Sequence, residues 1–307
     1  MTITVYSDVI VPNGAILAGV TGTRNRKNDR TANQGGYASV NAVRDVSLLT
    51  YQIAIAPMLV SDAQAIVAIY EITDAGAFGM LMEDPIDFTA SGSQGALLGY
   101  MQGVANGTHG FGNGTPLYGL RKLYTAAGST RQKGRAITRP KGTPAILRNG
   151  APVTAGVAAG NISLSAAPVY VTFVPDASSN VSGVTVGATT QVVLSGSLAG
   201  LAIGGKLWLQ GLTGADAALL NNIAHTITNI AGATYTISTN TAGKAITAAG
   251  QGQKYPQPTD TLTWSGDFYV PVHFRDDSIE WDMVAAGQRD ARMVTIPSTF
   301  LDEIREA

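Results

Sequence analysis

Only one stretch of this 307-residue chain carries a helical period. In SDAQAIVAIYEITDAG (61–76), Ile66, Ile69, Tyr70 and Thr73 fall on one face. Ser61 and Gln64 have the spacing of a capping box, Asp62 suits the positive end of the helix dipole, and Gly76 suits a stop at positive φ. The sequence therefore predicts one helix, over about 61–75. Everything else has to be strand or turn.

The rest of the text agrees with that demand. In VSLLTYQIAIAP (46–57), Leu49, Tyr51, Ile53 and Ile55 recur every second residue, as in a half-buried strand. In YVPVHFRDDSIEW (269–281), Val270, Val272 and Phe274 share one face, and Tyr269, Pro271, His273 and Arg275 share the other. Glycine makes up 36 of 307 residues, and charged residues only 13%. Many short strands joined by tight turns give that composition. Residues 14–36 read as a long basic arm or hairpin loop, and the Gly-rich 92–119 as a hairpin or surface loop.

From Ser178 to Gln253 the only charges are Lys206, Asp216 and Lys244. Four or five short strands follow at the spacing of a small β-barrel. Flanking stretches rich in Pro, Ser and Asn mark it as an insertion. The expected division is 1–177 plus 257–307 for the host and 178–256 for the insert. The fold class is mainly β: a β-sandwich or barrel with one flanking helix and an inserted small β-barrel. The strands before and after the insert, 169–174 and 261–264, should lie close together.

No catalytic constellation emerges. His109, His225 and His273 stand apart from one another. Asp276 and Asp277 are adjacent, so in a strand they point to opposite faces and cannot flank a substrate. Cysteine is absent from the sequence, so thiolate chemistry is excluded. The chain is expected to be a non-enzyme without cofactor or metal, and the start of the sequence shows no signal-peptide pattern.

Charge is segregated, although the net charge is only −1. Between Asp87 and Asp176 there is no acid, while Arg121, Lys122, Arg131, Lys133, Arg135, Arg139, Lys141 and Arg148 all lie there. The C-terminal part carries Asp276, Asp277, Glu280, Asp282, Asp302 and Glu303. Together with the basic arm, this nominates Arg24, Arg26, Arg30, Arg131, Arg135, Arg139, Asp276 and Asp277 as subunit-interface residues. In the insert, Trp208 and Tyr235, with His225 nearby, are candidates for a carbohydrate platform.

Several motifs, in order, resemble the distal tail protein family of siphoviruses and gene transfer agents. They are TRNRKN (23–28), FGMLMEDPIDF (78–88), GLRKLYT (119–125), GRAITRPKGTPAILRNG (134–150) and LTWSGDFYVPVHFRDDSIE (262–280). Met80-Leu81 stand where the family has an aromatic and a basic residue, and His273 where it has Arg. The insert resembles the small β-barrel of the first catalytic-cysteine half-domain of ubiquitin-activating enzymes. The resemblance implies a tail-tube-like fold and a structural virion protein of the phage tail tip, with host cytoplasm as its place during assembly. It implies a homo-hexameric ring joining the tail tube protein to the tail hub protein. No membrane partner and no specific nucleic-acid binding are implied, although DNA passes through such rings. The alternative function is a host-surface or carbohydrate-binding adhesin that uses the inserted barrel.

Overall fold

The computed structural model describes residues 3–32, 34–285, 287, 292–297 and 299–306. The chain is mainly β and forms two compact units, Met1–Thr89 with Phe268–Ala307, and Ala90–Asp267. All of the first unit and part of the second therefore come from the expected host segments. The closed barrel lies within the second.

The first unit is built on a six-stranded sheet, in the order Val5–Ile10, Gly79–Met82, Val270–Phe274, Thr299–Glu303, Leu48–Ile53, Val20–Asn25. The first pair is parallel and the rest antiparallel. Alternation decides which side chains go inward. Met80, Met82, Val270, Val272, Phe274, Leu49, Tyr51 and Ile53 enter one core, whereas Leu81 joins Val5 and Ile304 in a separate small cluster. Ile55 departs from the expected stripe. The strand ends at Ile53, Ala54 takes a left-handed φ of 61°, and Ile55 is exposed.

The expected helix is α2, Val60–Ile72. Its buried face carries Ala63 and Ile66, with Ile69 and Tyr70 packed against the same core. The capping box does not form. The N-cap is Leu59, and Ser61 lies inside the first turn. The short strand Met58–Leu59 feeds straight into the helix, and the Arg292 carbonyl accepts from the Val60 N–H. The helix thus begins before Ser61, and a residue already inside the first turn cannot serve as the N-cap. A second helix, α1 (Asn13–Leu17), is too short to show a period; it buries Ala15 in the same core.

The segment 14–36 is more structured than an arm. After α1 it runs through the sheet strand Val20–Asn25 and into a two-stranded hairpin, Asn28–Ala32 with Ala38–Ala42. A three-stranded sheet of Asp282–Ala285, Met293–Thr295 and Met58–Leu59 completes the unit.

The second unit has a large antiparallel sheet, whose main path runs Ala151–Pro152, Ala145–Arg148, Leu262–Asp267, Gly95–Met101, Leu117–Thr125, Tyr170–Phe173, Ile162–Leu164. One expectation holds in part here and one fails. The Gly-rich 92–119 does form a hairpin, Gly95–Met101 with Val104–Ala105, but its first strand is central to the sheet and the run GALLG is buried throughout, so the segment is not a surface loop. The glycine that looked like a turn residue serves close approach instead: a Cβ on Gly95 would lie 1.8 Å from the Trp264 carbonyl oxygen. The strands flanking the insert are not neighbours either. Gly95–Met101 and Leu117–Thr125 lie between Leu262–Asp267 and Tyr170–Phe173.

The insert folds as a closed six-stranded barrel. Its strands, in order around the barrel, are Ala177–Thr185, Thr190–Leu194, Thr234–Ile237, Ile223–Ala231, Lys206–Gln210 and Gln251–Lys254. Val192, Leu194, Leu207, Leu209, Ile227, Tyr235 and Ile237 fill it. Closure leaves no unpaired sheet edge.

Gly95→Ala should lower stability by about 3 kcal/mol, because the obstacle is backbone and cannot rotate away. Chemical denaturation of the two proteins checks this, and an unchanged midpoint would refute the close approach.

Candidate functional site

Both chain crossings into the barrel converge on one arginine. Arg148 ends the strand Ala145–Arg148, which pairs antiparallel with Leu262–Asp267. Its Nη1 and Nη2 donate to Asp176 Oδ1 and Oδ2 at 2.6 and 2.7 Å, and Nη2 also donates to Asp260 Oδ2 at 2.7 Å. Asp176 lies just before the first barrel strand, and Asp260 just after the last. The Asp176 N–H donates to the Lys254 carbonyl, so the two crossings also bond directly.

The clamp is buttressed on every side. Asn149 Nδ2 and the Gln257 N–H donate to Asp260 at 2.8 and 2.7 Å, and the Thr261 N–H donates to Asn149 Oδ1. Gln257 then joins the barrel wall, accepting from the Lys206 N–H and donating to the Lys206 carbonyl. The hydrogen bonds of Asp176 drive the Arg148 pKa further up, against partial burial. Partial burial alone would raise the Asp260 pKa, but hydrogen bonds from Arg148, Asn149 and Gln257 outweigh it and hold the carboxyl below its ordinary value. A planar guanidinium suits this place because it can fork onto one carboxylate and still reach a second.

Inside the barrel, His225 is buried. Its Nε2 meets the Leu220 carbonyl at 2.9 Å, and its Nδ1 meets Thr239 Oγ1 at 2.6 Å. The carbonyl can only accept, so Nε2 carries the proton and the neutral ring accepts from Thr239. Burial pushes the imidazole pKa down, with a smaller contribution from Lys206, against the upward effect of the Leu220 carbonyl.

The aromatic platform expected from Trp208 and Tyr235 is not formed. Tyr235 sits in the barrel core, where its hydroxyl accepts from the Leu198 N–H at 2.7 Å. Trp208 alternates with inward-pointing Leu207 and Leu209, yet Tyr255 covers it edge-to-face, with ring centroids 6.0 Å apart. Both rings are under 10% exposed, Trp208 at 6% and Tyr235 at 1%. Neither can present a face to a sugar.

The nominated interface residues divide. Arg135 and Arg139 are buried by the chain itself, at 5% and 6% exposure, and so are not surface charges. Arg135 sits directly opposite Lys122, also buried, in the pairing of Gln132–Ile137 with Leu117–Thr125. Arg131 is exposed. Arg24 forms an ion pair with Asp87. Arg26, Arg30, Asp276 and Asp277 are exposed.

These last four mark two faces of the first unit. The hairpin Asn28–Ala32 with Ala38–Ala42 is exposed along its whole length. It presents Tyr37, Val40 and Val43 among Arg26, Lys27 and Arg30. The edge strand Asp282–Ala285 is also exposed throughout. It presents Trp281, Met283 and Val284 beside Asp276, Asp277, Glu280 and Asp282. Arg275, on the strand face shared with His273, pairs with Asp302 on the adjacent strand, its Nη2 2.7 Å from Oδ1. That hydrogen bond raises the Arg275 pKa and lowers that of Asp302.

Among the described residues, no three His, Asp or Glu side chains gather as ion ligands, and no helix is long and apolar enough to cross a membrane. No family model matches the chain, and no curated protein matches it. Sequence reasoning named Arg148 and Asp176 only as marks of charge segregation and passed over Asp260. The available signal was an acid beside a proline in each flanking stretch, PD at 175–176 and PTD at 258–260.

Arg148→Ala leaves two part-buried carboxylates at the crossings without their cation, and should cost about 2–3 kcal/mol. Arg148→Lys, a point charge, should recover only part of that. Denaturant titration of the three proteins measures both effects, and equal stabilities would show that the clamp contributes nothing.

The depressed imidazole pKa of His225 gives a sign to the pH dependence. Between the folded value and the ordinary value of about 6.5, the unfolded chain binds more protons. Stability is therefore full above about pH 6.5 and falls as pH drops towards the folded value. Melting temperature should be lower at pH 5.5 than at pH 7.5, and His225→Gln should flatten the difference. A slope unchanged in that variant would place its source elsewhere.

Proposed function

We propose that the chain is a non-enzymatic structural part of a phage tail tip, forming a homo-hexameric ring between tail tube and hub. The observation that supports this most is the fully exposed hairpin. A two-stranded hairpin is marginal in water by itself, and this one spends its apolar residues on solvent. It gains stability by lying on another surface. The acidic edge with Trp281 matches it in both charge and apolar character.

Two different complementary patches on one chain make a heterologous contact, and such contacts close into rings when the rotation allows. Apolar burial supplies most of the affinity, and the charges select the partner and speed the encounter. The motifs from TRNRKN to LTWSGDFYVPVHFRDDSIE supply the viral context through their resemblance to distal tail proteins.

Native mass spectrometry should give hexamers for the wild type. Reversing Arg26, Lys27 and Arg30 to Glu should give monomers, and adding Asp276→Lys, Asp277→Lys and Glu280→Lys should restore assembly. A wild type that stays monomeric at high concentration and never enters particles would sink the ring.

A further inference from the structure

Across one end of the barrel, four carboxamides stand in a row, three on neighbouring strands and the fourth, Asn222, in the turn just before Ile223–Ala231. Asn180 is directly opposite Gln251, and Gln251 directly opposite Gln210. The next pairing is Leu209 with Ile223, and the Asn222 N–H donates to the Leu209 carbonyl, which brings Asn222 level with Gln210. Residues directly opposite one another share a face of the sheet. Leu209 points into the barrel core, so Gln210, Gln251 and Asn180 point outward, and Asn222, at a left-handed φ of 59°, is exposed and lines the same groove. At the spacing of neighbouring strands, the row spans about 14 Å.

The row lines an open groove of about 660 Å³, within the range of roughly 300–1,000 Å³ common to ligand sites. Gly211 and Gly250 lie in the same groove. A Cβ on Gly250, at φ +67°, would lie 2.1 Å from the Gln210 carbonyl oxygen, so bare backbone is required there. Among the described residues, no charged side chain lines the groove. Gln251 Nε2 reaches Asn180 Oδ1 at 3.5 Å and its Oε1 accepts from Gln253 Nε2 at 3.3 Å, while the Gln210 and Asn222 side chains make no hydrogen bond among the described residues.

We propose that this row binds a neutral glycan. Each carboxamide offers two donors and an acceptor, and so can serve a hydroxyl in either role. A repeated line of such groups on parallel centres matches a linear chain of sugars better than a single compact ligand. The lack of charge around it gives no purchase on phosphate, sulfate or carboxylate. This site is distinct from the buried Trp208 and Tyr235, and it does not depend on ring formation.

The test uses the full-length protein on a broad glycan microarray holding neutral, sialylated and sulfated oligosaccharides, followed by calorimetry with the best neutral ligand. Neutral linear glycans should bind and charged ones should not. Gln210→Leu with Asn222→Leu should weaken binding about tenfold or more, since each replaced amide removes hydrogen bonds that carry the recognition. Gln191→Leu, an exposed amide elsewhere on the barrel, should leave binding unchanged. Melting temperatures of all variants should match the wild type, which separates lost binding from lost fold. Absence of any neutral binder, a preference for charged glycans, or undiminished binding in the double leucine variant would overturn the proposal.

Discussion

The second unit depends on one guanidinium. Arg148 holds an acid on each chain crossing into the barrel, and both crossings are ordered by what it holds. The crossings are already held side by side by the pairing of Ala177–Thr185 with Gln251–Lys254, and the arginine ties that pair to the end of the host strand Ala145–Arg148. A partly desolvated cation between two carboxylates is costly to assemble and more costly to leave half-made. Here the Asn149 side chain and the Gln257 backbone N–H add two further donors to Asp260. The clamp also explains why the charge-poor barrel needs no charged contacts of its own to stay in register with the host sheet.

The sequence was legible where period alone decides. The helix, the stripe of Leu49, Tyr51 and Ile53, and the alternation of Val270, Val272 and Phe274 follow from side chains choosing a face, and the structure has them. The barrel was legible because turns recur at short intervals through a nearly uncharged text. Local signals failed where a distant backbone intervened. Ser61 lost its capping role because the helix starts earlier, straight from the strand Met58–Leu59 that pairs with Met293–Thr295, and Gly95 proved to be a strand residue because Trp264 passes beside it.

Charge was the least legible quantity. Counting acids and bases along the chain treated Arg135 and Arg139 like Arg26 and Arg30, yet the first two are buried and the others exposed. Burial depends on which strands meet, and that is written in pairings far apart in sequence. The same holds for the candidate sites. Trp208 looked available from its own strand and is hidden by Tyr255 from the exit linker. The carboxamide row could not be seen at all, since Asn180 and Gln251 stand 71 positions apart.

The bond from the Asp176 N–H to the Lys254 carbonyl bears on how quickly the host sheet can form. Leu262–Asp267 must find Ala145–Arg148, with the whole barrel intervening in the chain. A long floppy excursion of that kind slows closure, because its entropy is lost before any contact rewards it. Once the barrel has folded on its own local contacts, the excursion is replaced by two ends already side by side. The search then covers residues 149–176, with the strands Ile162–Leu164 and Tyr170–Phe173, and 255–261, without the barrel between them. The barrel acts on the rest of the chain as a folding shortcut, and its early formation sets the pace for the sheet that carries it.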